Sequence, residues 1–249
     1  MAAKLRPLKE IRYLETTEVP GPGEPPFASA DGVFALPCDI HRTGERIGCL
    51  LESEGLSFGT FDHLFIALTT AIPPGQVVPV GIGFEPWMGF AAFGLPRSFQ
   101  ALAAQDKLSQ LQAATFKVLR SLQPSQKDLI VALEKRLLAG GTRTRVLRAL
   151  KDTKSLSIEV WFDVPPIGEK PYLYVIANEK TTGQTLVAPP FPLAEYDHAF
   201  PLVSAVTYSK GAVNLIPRKS FRANLSTRGY DVPIQFPLST FMTVAVDDV

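Results

Sequence analysis

Three histidines, His41, His63 and His198, are the side chains best suited to acid–base or metal chemistry. Each lies next to an aspartate or one residue from it: Asp39, Asp62 and Asp197. A catalytic histidine needs an orienting acceptor on one ring nitrogen and a reactant at the other. A metal centre needs several imidazoles or carboxylates that converge, with further carboxylates behind them. The spacing limits both. Asp62–His63 and Asp197–His198 are adjacent pairs. Adjacent side chains point to opposite faces of a strand and diverge by about 100° on a helix, so neither pair is expected to form a local dyad. Asp39 and His41, two apart, would share one face of a strand and are the locally plausible pair.

The chain contains no HExxH, HxH or CxxC, so no metal site is expected. The nucleophile elbow GxSxG, the Walker loop and the dinucleotide fingerprint are missing too, so no cofactor is expected. Asp39, His41, His63 and His198 are the weak catalytic candidates for an enzyme reading, a small hydrolase or lyase.

The elements that must position these residues follow from periodicity. The chain has 249 residues, 46% of them hydrophobic and 20% charged, which is enough apolar material for a sizeable core. One domain over 1–249 is expected, with a possible N-terminal arm over 1–27 that includes the linker "PGPGEPPF". "DGVFALPCDIHRTGERIGCLLES" (31–53) reads as strand, turn, strand, with Gly44 in the turn. Cys38 and Cys49 flank that hairpin, and free, mostly buried thiols are favoured over a disulfide. Residues 61–70 read as a short helix. "PPGQVVPVGIGFEPW" reads as a turn and a strand, with Gly81 and Gly83 marking a bulge.

From 97 to 152 the apolar residues recur at helical spacing. Leu108, Leu111, Val118, Leu119 and Leu122 mark one helix, and Leu129, Leu133 and Leu137 a second that starts at Ser125 and stops at Gly140–Gly141. Val146, Leu147 and Leu150 mark a third. "LSIEVWFDV" then alternates as a strand, and two hairpins and a final β-rich run follow. The predicted class is α+β: an antiparallel β-rich body interrupted by a three-helix segment near 97–152.

Charge is uneven. Residues 1–96 are net −5, 97–154 net +8 and 155–249 net −2. Arg143, Arg145 and Arg148, after two glycines at an expected helix start, form a candidate anion site. A second basic stretch, 210–230, holds five cations and no acid. "GIGFEPWMGFAAFG" (81–94) offers Phe84, Trp87, Met88, Phe90 and Phe93 as a candidate interaction surface, because its glycines and Pro86 interrupt any regular period.

These features favour a non-catalytic binding or assembly protein that uses the aromatic segment and the basic helices as contact surfaces. A protein partner or homo-oligomer is expected, with an anionic ligand or membrane surface as the alternative. Near-neutral overall charge and the lack of aromatics among the cations argue against nucleic acid. A third reading is a membrane-acting β-rich protein whose 210–230 cations meet anionic lipid. With no apolar window of transmembrane length and no leader-like N-terminus, the cytoplasm is the expected location.

Overall fold

A computed structural model describes residues 5–19, 21, 32–83 and 85–244. The α+β class holds. Contacts divide the chain into two compact units, residues 1–144 and 145–249.

The first unit is built on a mixed sheet. Strands β1 (Glu10–Thr16), β2 (His63–Thr69), β3 (Val77–Ile82) and β4 (Met88–Gly94) lie in the order β1-β2-β4-β3. β1, β2 and β4 run parallel, and only β3 is antiparallel to its neighbour. The antiparallel expectation therefore fails in this unit. A parallel pair needs a crossover, and helix α1 (Ile40–Ser53) supplies it.

Residues 40–53 are thus a helix, not the second half of a hairpin, and Gly44 is not a turn residue. α1 lies directly on β1. A Cβ at Gly44 would meet the Ile11 carbonyl, and one at Gly48 the Lys9 carbonyl. Two glycines four apart make the flat helix face that this approach requires. No disulfide joins Cys38 to Cys49. Residues 63–69 are a strand, not a helix. β2 is covered on both faces, so it reads as an unbroken apolar run with no period-two signal.

Two helices, α2 (Ala104–Leu122) and α3 (Lys127–Gly140), complete the unit. Leu111, Val118 and Leu119 of α2 are buried, as are Ile130, Leu133 and Leu137 of α3. Arg120 of α2 pairs with Glu134 of α3. α3 begins at Lys127 with no side-chain cap from Ser125, and Gly141, at φ +55°, ends it.

The expected third helix is a strand. β5 (Arg145–Asp152) opens the second unit. Its register against β6 (Leu156–Asp163) shifts between Leu147 and Ala149. That bulge inserts one residue, breaks the period of two, and leaves Val146, Leu147 and Leu150 at a spacing that resembles a helix face. β6 alternates as expected, with Leu156, Ile158, Val160 and Phe162 buried.

β7 (Tyr172–Glu179), β8 (Thr185–Val187) and β9 (Phe191–Pro192) extend this antiparallel sheet. A four-residue helix α4 (Ala199–Leu202) follows. β10 (Ala205–Ser209) and β11 (Ala212–Ile216) form a hairpin that turns at Lys210–Gly211, both with positive φ. Next come helix α5 (Phe221–Thr227), β12 (Ile234–Pro237), which pairs with β11, and β13 (Met242–Val244), which pairs with β8. Among the described residues no helix is long and apolar enough to cross a membrane.

Candidate functional site

The histidines come first. His63 opens β2, opposite Glu10 in the parallel register with β1. Its Nδ1 lies 2.8 Å from Asp62 Oδ1 and its Nε2 lies 3.0 Å from Glu10 Oε2. The adjacent pair that strand alternation disfavours is therefore formed. Asp62 precedes the strand, and its backbone is not bound by strand geometry.

The contacts continue outward. Asp62 faces Lys9 at 3.5 Å and Arg6 at 3.9 Å, and Glu10 accepts from Arg12 Nε at 2.6 Å. Burial pushes the Asp62 carboxyl up, but the hydrogen bond and charge of His63 and the charge of Lys9 outweigh it. The net effect holds Asp62 below the usual carboxylate range. Trp87 closes the cluster, with its ring edge-on to His63 at 4.8 Å and its carbonyl accepting the backbone N–H groups of Asp62 and His63.

This arrangement can clamp β1 to β2. Both ring nitrogens face carboxylates, so neither is open to a reactant as general base chemistry requires. The cluster also lies where the parallel strands begin, whereas ligands of such sheets gather beyond their carboxyl ends.

His41 and Asp39 do not share a strand face. Asp39 is the residue before α1, His41 sits exposed in its first turn, and residues two apart on a helix diverge by about 200°. His198 ends a 3-10 turn, Tyr196–His198, and its Nδ1 lies 2.9 Å from the Tyr230 hydroxyl. That hydroxyl also accepts the Ala194 N–H at 2.7 Å. Burial raises the Tyr230 pKa; the Ala194 hydrogen bond opposes this, and the charges of Asp197 and Glu195 add to it. His198 is thus tied to Tyr230, His41 stands on the surface, and among the described residues no group of three or more His, Cys, Asp or Glu could hold a metal.

The aromatic segment is mostly core. Phe90 and Phe93 are buried in β4 on the two faces of a covered strand, so neither offers an exposed contact surface. Met88 is half-buried, Phe84 lies outside the described residues, and Trp87 is 37% exposed beside His63. Pro86 lies before the strand begins, and Gly89 and Gly94 are accommodated within β4, so the glycines do not prevent a regular strand.

Arg143, Arg145 and Arg148 do not surround a helix start. Arg143 ends a 3-10 turn, Gly141–Arg143, and the other two lie on β5. Arg145 stacks over Tyr174 at 4.5 Å. Arg148 lies over Phe200 at 5.3 Å and donates from Nη2 to the Phe200 carbonyl at 3.2 Å. The fold uses Arg145 and Arg148 internally, and no α-helix begins at these residues to support an anion.

The second basic stretch is different. Ser220 caps α5 by accepting the Ala223 N–H at 3.2 Å. The helix turns its small residues inward: Ala223 and Thr227 are buried. Phe221 and Leu225, also four apart, are 80% and 57% exposed. Apolar burial normally runs the other way. Around this pair stand Arg218, Lys219, Arg222 and Arg228, all exposed and without an ion pair among the described residues. Beside α5 is a cleft of about 290 Å³ lined by Asp197, Phe200, Arg218, Ser220, Arg222 and Ser226.

No family model matches the chain, and no curated protein or solved structure is significantly similar to it.

The basic stretch is visible in the sequence, whereas Phe221 and Leu225 carry no period that marks them as exposed. The signal that they do carry is an apolar pair at i, i+4 just inside a serine cap, in a run of cations with no acid.

Proposed function

We propose that the chain is a non-catalytic binding protein that docks on anionic lipid surfaces through α5. The observation that carries this reading is the inverted helix. It buries alanine and threonine and exposes a phenylalanine and a leucine, with four exposed cations around them.

A projecting apolar pair ringed by positive charge suits a deformable, negatively charged surface. The apolar tips enter the boundary between headgroups and acyl chains while the cations meet the phosphates. Each cation near such a surface contributes about 1 kcal/mol, and a fully buried large apolar side chain roughly 1.5–3 kcal/mol. Neither contribution alone gives firm attachment. Together they give reversible, salt-sensitive binding. A protein interface of standard size needs about 800 Å² from each partner, far more than two side chains supply. Lipid is therefore the favoured occupant over a protein partner or a second copy.

Vesicle co-sedimentation tests this. Binding is expected to phosphatidylcholine vesicles that contain phosphatidylserine, absent without it, and weakened by salt. Equal retention on both vesicle types would overturn the reading. No retention on either, combined with a dimer mass in light scattering, would replace it with self-assembly.

A further inference from the structure

We propose that the cleft beside α5 is a binding site for a phosphomonoester carried on a hydroxylated ring, such as a phosphorylated inositol headgroup. The inference rests on the lipid-docking reading, deepening it from charge attraction to recognition of one headgroup class.

The polar groups of the cleft divide into two sets. Arg218 and Arg222 each bring a guanidinium fork, and neither has an ion pair among the described residues. Ser220 Oγ already accepts the Ala223 N–H, which leaves its hydroxyl proton free to donate. These donors suit an oxyanion. Arginine forks match phosphate geometry, and a phosphomonoester carries close to two negative charges near neutral pH.

The other set accepts. Ser226 donates its own proton to the Arg222 carbonyl at 3.3 Å, so its lone pairs face outward. Asp197 adds a carboxylate. A bare phosphate placed against Asp197 would be repelled. A ligand with a phosphate toward the arginines and a hydroxyl toward Asp197 satisfies both sets and is held in one orientation.

The walls are fixed. Arg218 N donates to the Pro201 carbonyl at 2.7 Å, and α4 packs against α5. A volume of about 290 Å³ lies just below the roughly 300–1,000 Å³ of drug-sized ligand sites, which suits one phosphorylated ring. Phe221 and Leu225 beside it would enter the layer from which such a headgroup projects.

The test compares vesicles containing a phosphatidylinositol phosphate with phosphatidylserine vesicles of matched charge, and adds soluble inositol monophosphate and inorganic phosphate as probes. Wild-type protein is expected to prefer the phosphoinositide vesicles by roughly tenfold, the worth of one hydrogen bond to an ionised group, with soluble inositol monophosphate competing. Arg218→Gln with Arg222→Gln should abolish that preference without changing Tm, since both side chains are exposed. Asp197→Asn should narrow the gap between inositol monophosphate and inorganic phosphate. If the double variant does not fold, the wild-type comparison and Asp197→Asn decide.

Equal affinity for the two charge-matched vesicles would overturn the cleft inference and leave lipid docking in place. Binding of soluble inositol monophosphate without vesicle binding would sink lipid docking and sustain the cleft, with a soluble phosphomonoester as its source. Binding to none of the probes would overturn both.

Discussion

Two stretches of this chain are rich in cations, hold no acid, and meet opposite fates. In residues 143–148 Arg143 ends a 3-10 turn, and Arg145 and Arg148 are taken into a sheet. Arg145 stacks on Tyr174, and Arg148 lies over Phe200 and donates to its carbonyl. In residues 218–228 the cations surround a short helix that leaves them, and two large apolar side chains, facing outward. The difference lies in the backbone. The sheet sets Arg145 over Tyr174 of β7, and α4 sets Phe200 against Arg148, whereas a seven-residue helix with two small buried residues has nothing to set against its outer face. Positive charge in a sequence therefore identifies a partner only where the fold has not already supplied one. The same contrast separates His63, held between two carboxylates, from His41, exposed on the first turn of α1.

The strongest way to break the comparison is to change what α5 exposes. Phe221→Ser with Leu225→Ser is expected to weaken vesicle binding by about 3 kcal/mol, more than a hundredfold. Stability should stay within about 0.5 kcal/mol, because exposed positions contribute little to folding. A large fall in Tm would mean that these side chains serve the core instead.

Asp62 tests the other side, a charge that the fold does use. Asp62→Asn should cost about 2 kcal/mol by chemical denaturation, since it removes the carboxylate at His63 Nδ1 and the partner of Lys9. The sign of the pH effect follows from the lowered carboxyl. Its contribution is fully present above the unfolded value near 3.9 and is lost as pH falls through the lower folded value. The variant should therefore lose stability less steeply than wild type in that acid range. Parallel acid limbs for the two proteins would remove Asp62 from the account.

Arg148→Ala should cost roughly 1–2 kcal/mol of stability, through the lost ring contact and carbonyl hydrogen bond, while vesicle binding is unchanged. Reduced binding without loss of stability would erase the distinction between the two stretches.

The smallest expected effect is that of Arg228→Gln. It should weaken vesicle binding by about 1 kcal/mol and flatten its salt dependence, with Tm unchanged. Identical salt curves would place Arg228 outside the contact.

Local pattern was enough for elements whose neighbours impose no special demand. The alternation of β6, the hairpin turning at Lys210–Gly211, the helices α2 and α3 and the stop at Gly141 were all legible, because a half-covered strand or an amphipathic helix writes its buried face into the sequence. The sequence also determined that no common catalytic or metal motif is present, and that the cations are concentrated in two stretches. Tertiary structure decided the rest. β2, covered on both faces, loses its period. β5 carries a bulge that imitates a helix. Gly44 and Gly48 are set by the Ile11 and Lys9 carbonyls, which lie more than thirty residues earlier in the chain. The Asp62–His63 contact depends on where β2 begins, and the outward face of α5 depends on Ala223 and Thr227 taking the inward one. Each of these outcomes depends on which surface a residue meets across space, and spacing along the chain carries no record of that surface.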